Sequence, residues 1–159
     1  MIAVSGNHPR EGNKMNANKT DQAIPEAGED EVIEARGSRV VIKVATPEQL
    51  LCEYTAPEYF PGPPLHVHPG FDETFMVLDG RLEVRVGEQR VELGPGEVAS
   101  VSGTVPHTFR NIDADRSRFL LTCTPGGFED YFRGIAAGDE ELVTAISERF
   151  GYRAVELAA

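Results

Sequence analysis

Three histidines and one glutamate fall in two short segments of this 159-residue chain, and their spacing carries more chemistry than any other feature of the sequence. The first segment is GPPLHVHPGFDETFMVLDG, residues 62–80; the second is GEVASVSGTVPHTFRN, residues 96–111. His66 and His68 stand two apart, so an extended strand would point both imidazoles to one face. Pro69 and Gly70 then turn the chain, and Glu73 opens a run in which Glu73, Phe75 and Val77 share a face. His107, Phe109 and Asn111 share another. With those faces inward, three neutral imidazoles and a carboxylate converge inside a barrel wide enough only for side chains and a small ligand. Such an N3O set suits one divalent transition ion, Zn, Mn, Fe, Co, Ni or Cu, and leaves coordination positions open for water or substrate.

The elements that must position these side chains are mostly short strands. From residue 32 onward, β-type runs at 32–35, 39–45, 50–55, 73–78, 82–86, 89–93, 97–101, 107–111 and 118–124 alternate with Gly- and Pro-rich turns. Leu82, Val84 and Val86 are apolar between the charged Glu83 and Arg85, and Val91 and Leu93 repeat the pattern beside Arg90 and Glu92. Nine closely spaced strands without intervening helices predict an all-β antiparallel sandwich or barrel. After Pro125-Gly126-Gly127 the period changes. Phe128, Phe132 and Ile135, with Tyr131 beside them, recur at helical spacing, as do Leu142, Val143, Ile146 and Phe150. Asp139 suits an N-cap and Gly151 a C-terminal stop. These two helices are expected to pack outside the barrel or across a subunit interface, with their aromatic stripes as core.

The organisation read from this pattern is an arm over residues 1–30, a barrel over 31–125 and a helical extension over 126–159. The arm is polar and without hydrophobic period, too poor in apolar surface to offset its ordering entropy, and is expected to be flexible. It contains His8, read as a bystander, and Met15, a candidate alternative start. The acidic stretch from Glu26 to Glu34 is read as a solvated segment.

Composition narrows the classes of function. Fifteen Lys and Arg against 26 Asp and Glu give a formal net charge of −11, which opposes binding to phosphate backbones, so nucleic acid is set aside. No apolar run reaches membrane-spanning length and the N-terminus has no secretory pattern. The two cysteines, Cys52 and Cys123, lie far apart in apolar strand surroundings, and reduced buried thiols in a cytoplasmic protein are the expectation.

The two histidine segments resemble the paired motifs of the cupin superfamily: a Gly, then HxH, a Glu several residues on and a Gly beyond it; then a Gly, a His and an Asn four residues after. The resemblance covers about residues 32–125, and TPGGFEDYF is similar to a segment of many single-domain bacterial cupins. Two departures mark the pattern: Gly62 stands closer than usual to His66, and Ser102 and Thr104 replace the customary Pro and Gly in the turn before His107. The resemblance implies a double-stranded β-helix, or jelly-roll, with His66, His68, Glu73 and His107 as metal ligands and Glu73 also as a catalytic base. It implies a homodimer acting on a small molecule. Within that superfamily the expected activity is that of a metal-dependent dioxygenase of the quercetin-dioxygenase type, acting on an aromatic or enolisable substrate. That substrate would sit against an apolar wall of Phe75, Val77, Leu82, Val84 and Phe109. The alternatives are redox-neutral catalysis, as in cupins resembling polyketide cyclases or isomerases, and a non-catalytic module that binds a metal and a metabolite.

Overall fold

Alternation of apolar and polar residues makes one face of each strand adhesive, and two such sheets bury those faces against each other. A computed structural model describes residues 30–156. Nearly all of the arm expected over residues 1–30, with His8 and Met15, lies outside the described residues. The strands in chain order are β1 (Glu31–Ala35), β2 (Ser38–Ala45), β3 (Leu50–Ala56), β4 (His66–Val67), β5 (Asp72–Asp79) and β6 (Leu82–Val86). They continue with β7 (Gln89–Leu93), β8 (Val98–Val101), β9 (His107–Arg110) and β10 (Ser117–Thr124). Two helices, α1 (Glu129–Ala137) and α2 (Glu140–Phe150), precede a last short strand, β11 (Arg153–Ala154).

The strands form two antiparallel sheets. One runs β1-β2-β3-β10-β5-β8 and the other β11-β4-β9-β6-β7. Beside the consecutive pairs β1-β2-β3 and β6-β7, other neighbours are distant in sequence, as β10 between β3 and β5 and β9 between β4 and β6 show, and this interleaving is the jelly-roll winding of a double-stranded β-helix. The all-β architecture with two C-terminal helices is therefore as the sequence predicted. Two strands fall outside the β-type runs read from the sequence. β4 is the short piece that carries His66, and β11 pairs with it through Arg153 opposite Val67 and Ala154 opposite His66.

The core lies between the sheets. Leu50, Cys52, Phe75, Val77, Leu82, Val84, Phe119 and Leu121 are all at most 2% exposed, so the alternation read from β6 and β5 translates directly into burial. Tyr54, Phe109 and Phe119 interlock there, with Tyr54 stacked on Phe119 at 5.0 Å and edge-on to Phe109 at 5.5 Å. Two positions depart from simple alternation. Glu83 is buried although charged, because Arg110 grips both its carboxylate oxygens at 2.8 and 2.9 Å and Arg90 adds a third bond at 2.6 Å. Val91, read as inward, is exposed because β7 closes the edge of its sheet.

Asp139 caps α2 as expected, its Oδ1 accepting from the Leu142 amide at 3.0 Å, and Gly151 ends the helix in the left-handed region. The expectation that the aromatic stripes of the helices are core holds only in part for α1, whose Tyr131, Phe132 and Ile135 pack against the core and also line a cavity. Arg133 on α1 reaches Glu31 of β1 with two bonds, at 2.8 and 2.6 Å, and so ties the helix to the edge of the larger sheet. Glu31 belongs to the acidic stretch read as merely solvated; the ion pair is a structural tie that local sequence does not announce. No helix among the described residues is long and apolar enough to cross a membrane.

Candidate metal centre and its cavity

His66 begins on β4, His68 follows it into the turn, Glu73 lies on β5 and His107 opens β9. The two sheets thus contribute to one point between them: β4 and β9 pair in the smaller sheet with His66 directly opposite His107, while β5 belongs to the larger. All four side chains are buried, with His68 and His107 fully so. One ligand atom from each residue lies within 4.8 Å of the others. His68 Nε2 and His107 Nε2 approach to 2.8 Å, and Glu73 Oε2 lies 3.1 Å from His107 Nε2 and 3.3 Å from His68 Nε2.

The backbone fixes which ring nitrogen faces this point. His66 Nδ1 meets the Pro64 carbonyl at 2.8 Å, His68 Nδ1 the Phe71 carbonyl at 2.9 Å, and His107 Nδ1 the Val105 carbonyl at 2.7 Å. A carbonyl only accepts, so each Nδ1 carries the hydrogen and each Nε2 presents a lone pair. Three lone pairs and a carboxylate oxygen then converge without a donor among them, an arrangement that a cation satisfies. The spacing fits as well: with metal–ligand bonds of about 2.1 Å, ligands at right angles stand about 3.0 Å apart. Backbone carbonyls holding the remote nitrogen are the usual outer support of metal-binding histidines. The group can hold a metal ion.

Local packing keeps the rings in place. His68 is stacked flat on Phe71 at 3.8 Å, and Tyr152 lies 4.8 Å from His66. Gly103, in the unusual second motif, accepts from the His68 amide at 2.8 Å and donates to Asp72 Oδ1 at 3.0 Å. The departures at Ser102 and Thr104 therefore leave the glycine between them bracing His68.

Proton affinities agree with this chemistry. Burial pushes His66 down to about 4, keeping it neutral near pH 7. Burial opposes the charge on Glu73, but the His107 and His68 rings beside it, where a positive charge can gather as a proton or a metal ion, outweigh burial and hold the carboxyl down to about 2. For His107, burial is likewise overcome by Glu73, which raises its proton affinity; the carboxylate draws positive charge to this point. The thiols stay out of the site. Cys52 and Cys123 are buried and free, and burial pushes the Cys52 thiol up to about 12.

His66 and Glu73 also line a cavity of about 450 Å³, within the range of small-molecule sites. Its walls are largely aromatic, from Tyr54, Phe60, Phe109, Phe132 and Tyr152. Of the five wall positions expected from sequence, Phe109 lines this space. Phe75, Val77, Leu82 and Val84 are packed into the core instead: Phe75 sits 5.4 Å from Phe109 and 6.0 Å from Phe119, filling the barrel at that level. The sequence reading missed Tyr54, Tyr131, Phe132 and Tyr152. The aromatic residues of α1 were visible as a stripe, but nothing local distinguished a cavity roof from core.

Residues 57–123 match the family described as "Cupin domain". Over 57 residues the chain is 37% identical to the quercetin 2,3-dioxygenase of Bacillus subtilis (strain 168). That stretch is 36% of this chain and 17% of the relative, so only a small part of that protein is matched. Among solved structures, the chain is similar to an RmlC-like cupin from Shewanella frigidimarina NCIMB 400, with TM-score 0.57 and 17% identity, over 64% of this chain and 88% of that one. It is similar also to KdgF from Halomonas sp., with TM-score 0.56 and 21% identity, over 67% and 94%. At such identities the structural likeness speaks to fold. Together with the cupin domain matched over residues 57–123 and the sheet topology, it gives the chain the cupin fold, a double-stranded β-helix.

Proposed function

We propose that this cupin-fold protein is a metal-dependent enzyme acting on an aromatic or enolisable small molecule, with dioxygenase chemistry. The observation that carries the reading is the junction of an acceptor group of three imidazoles and one carboxylate with an aromatic-walled cavity. The partial match to a quercetin 2,3-dioxygenase supports the oxygenase direction. His66, His68, Glu73 and His107 would hold one divalent transition ion (Fe, Mn, Zn, Ni, Co or Cu). When bound, a redox-active ion of this set supplies Lewis acidity and electron exchange with dioxygen.

The chain's own residues do the remaining work. Tyr54, Phe109 and Phe132 orient a flat substrate and exclude water around it. Glu73 engages His68 and His107 through Oε2, which leaves Oε1 to accept a proton from an acidic C–H or O–H at the cavity end beside His66. The same reading makes the protein a cytoplasmic homodimer. Val91 and Val98, on the sheet-edge strands β7 and β8, are 45% and 54% exposed and offer apolar surface for pairing.

Purification without added metal, followed by elemental analysis and oxygen-uptake assays with flavonols and catechols, tests the function. Bound Fe, Mn, Ni or Cu with substrate-dependent oxygen consumption is the expected result. Tightly held Zn with turnover but no oxygen uptake would replace the oxygenase by a cyclase or isomerase. Ligand binding without turnover would make the protein a binding module.

A further inference from the structure

The cavity has one cationic side chain among its lining residues, Arg36. It sits at the tip of the β1–β2 hairpin, where Ala35 pairs with Ser38 across a two-residue turn of Arg36 and Gly37. Both turn residues have positive φ, 53° and 81°. Such turns favour Asn-Gly, because a side chain bearing a Cβ is strained in the left-handed region. Tyr59 is the other non-glycine residue with positive φ among the described residues, and it too lines this cavity. The described chain therefore keeps its non-glycine backbone strain at one place, the rim of the cavity, and such strain gathers at ligand clamps.

The arginine is also electrostatically idle. Among the described residues Arg39, Arg81, Arg90, Arg110, Arg118 and Arg133 each pair with a carboxylate, whereas Arg36, Arg85, Arg116, Arg149 and Arg153 do not, and of these five only Arg36 lines the cavity. Arg36 pairs with none among the described residues, in a chain whose net charge is −11. Glu58 shares the rim; both it and Arg36 are exposed, and no ion pair joins them.

We infer that Arg36 is a specificity residue that binds a carboxylate on the substrate, so that the substrate class is aryl or enolisable carboxylates. The acid's apolar body lies along Tyr54, Phe109 and Phe132, its reacting end faces His66 and Glu73, and its carboxylate meets the guanidinium at the rim. A planar fork of N–H donors matches a carboxylate in a way that a flexible ammonium does not. This inference rests on the enzymatic reading of the same cavity but is separable from it, because a neutral aromatic substrate would satisfy that reading equally well.

The test is calorimetric binding to the metal-loaded protein of phenylacetate and 3-phenylpropanoate, each beside its neutral amide. The wild type is expected to favour at least one acid over its amide by about tenfold, the scale of one charge-assisted hydrogen-bonded pair at an exposed rim. Arg36→Gln is expected to abolish the preference while binding the amide as the wild type does, and Arg36→Lys to keep part of it. An unchanged melting temperature shows that Arg36→Gln is folded. Equal binding of acid and amide by the wild type would overturn the inference and leave the enzymatic reading standing. A preference that survives in Arg36→Gln would overturn it as well, placing the carboxylate at the metal end. Failure of both acids and both amides to bind would overturn the inference, while the enzymatic reading is decided by oxygen uptake with flavonols and catechols.

Discussion

Replacing Gly103 by alanine probes the support of the metal centre without touching a ligand. A Cβ on Gly103 would stand 2.1 Å from the Phe71 carbonyl oxygen, 2.3 Å from that of His68 and 2.6 Å from His68 Nδ1. None of these is the free end of a flexible side chain, so the turn must open and carry His68 with it. Two hydrogen bonds are lost in the process, from the His68 amide to Gly103 and from His68 Nδ1 to Phe71. At about 1 kcal/mol each, with about 1–3 kcal/mol for overpacking, the loss of stability comes to about 3–5 kcal/mol. A domain of this size shifts by about 2–4 °C for each kcal/mol, so the melting temperature should fall by about 6–20 °C. Metal affinity should fall by about 10–100-fold, as it does when outer support of a ligand is removed. Thermal unfolding of chelator-treated protein gives the first number, and competition with a chromophoric chelator gives the second. A Gly103→Ala protein with wild-type melting temperature and metal affinity would refute the bracing role assigned to this turn.

Loss of a ligand should be more severe for the metal than loss of its support. His107→Ala is expected to lower affinity beyond that 10–100-fold range, and stoichiometric metal in the purified variant would contradict the ligand set. The metal-free protein should become less stable as pH falls from about 6.5 toward 4. His66 is held below its unfolded value, so its contribution is present above pH 6.5 and is lost on acidification, with Glu73 adding the same sign below its ordinary 4.5. His107, raised above its ordinary 6.5, acts at higher pH, where its contribution is lost as pH rises; between about 6.5 and 4 a slope of up to about 1.4 kcal/mol per pH unit is expected in urea midpoints, and a flat profile over that interval would contradict the assignment. Asp139→Ala should cost about 1 kcal/mol through loss of the helix cap, read as a lower urea midpoint without change in metal affinity.

What could be read in advance follows from how far each signal travels along the chain. Leu82, Val84 and Phe75 show their burial through period-two alternation, a local property, and β6 and β5 lie where that pattern puts them. Asp139 and Gly151 are likewise local signals of helix ends. His66, His68, Glu73 and His107 were legible as a group because the family spacing compresses a three-dimensional convergence into two short segments. Tyr152 had no such signal. It stands beside His66 only because β11 pairs with β4, a contact between residues more than eighty positions apart that leaves no periodic trace in a two-residue strand. Glu83 also defied its pattern, since the arginine that buries it, Arg110, comes from another strand. The roof formed by α1 was missed for a related reason: an aromatic stripe looks the same whether it meets other side chains or a space kept for a ligand.

The anchoring of each imidazole by a main-chain oxygen rather than by a carboxylate side chain bears on how such a centre withstands sequence drift. Pro64, Phe71 and Val105 contribute nothing but their peptide oxygens to the tautomer of the ring they hold. Exchanging Val105 for another residue that keeps the local trace would leave the donor set chemically unchanged, whereas an Asp or Glu in that job could be lost in a single substitution. Phe71 has less latitude, because its ring also lies flat against His68. The protonation pattern of the ion-binding cluster is thus inherited with the course of the backbone, and the neighbouring side chains are released to tune what enters from above.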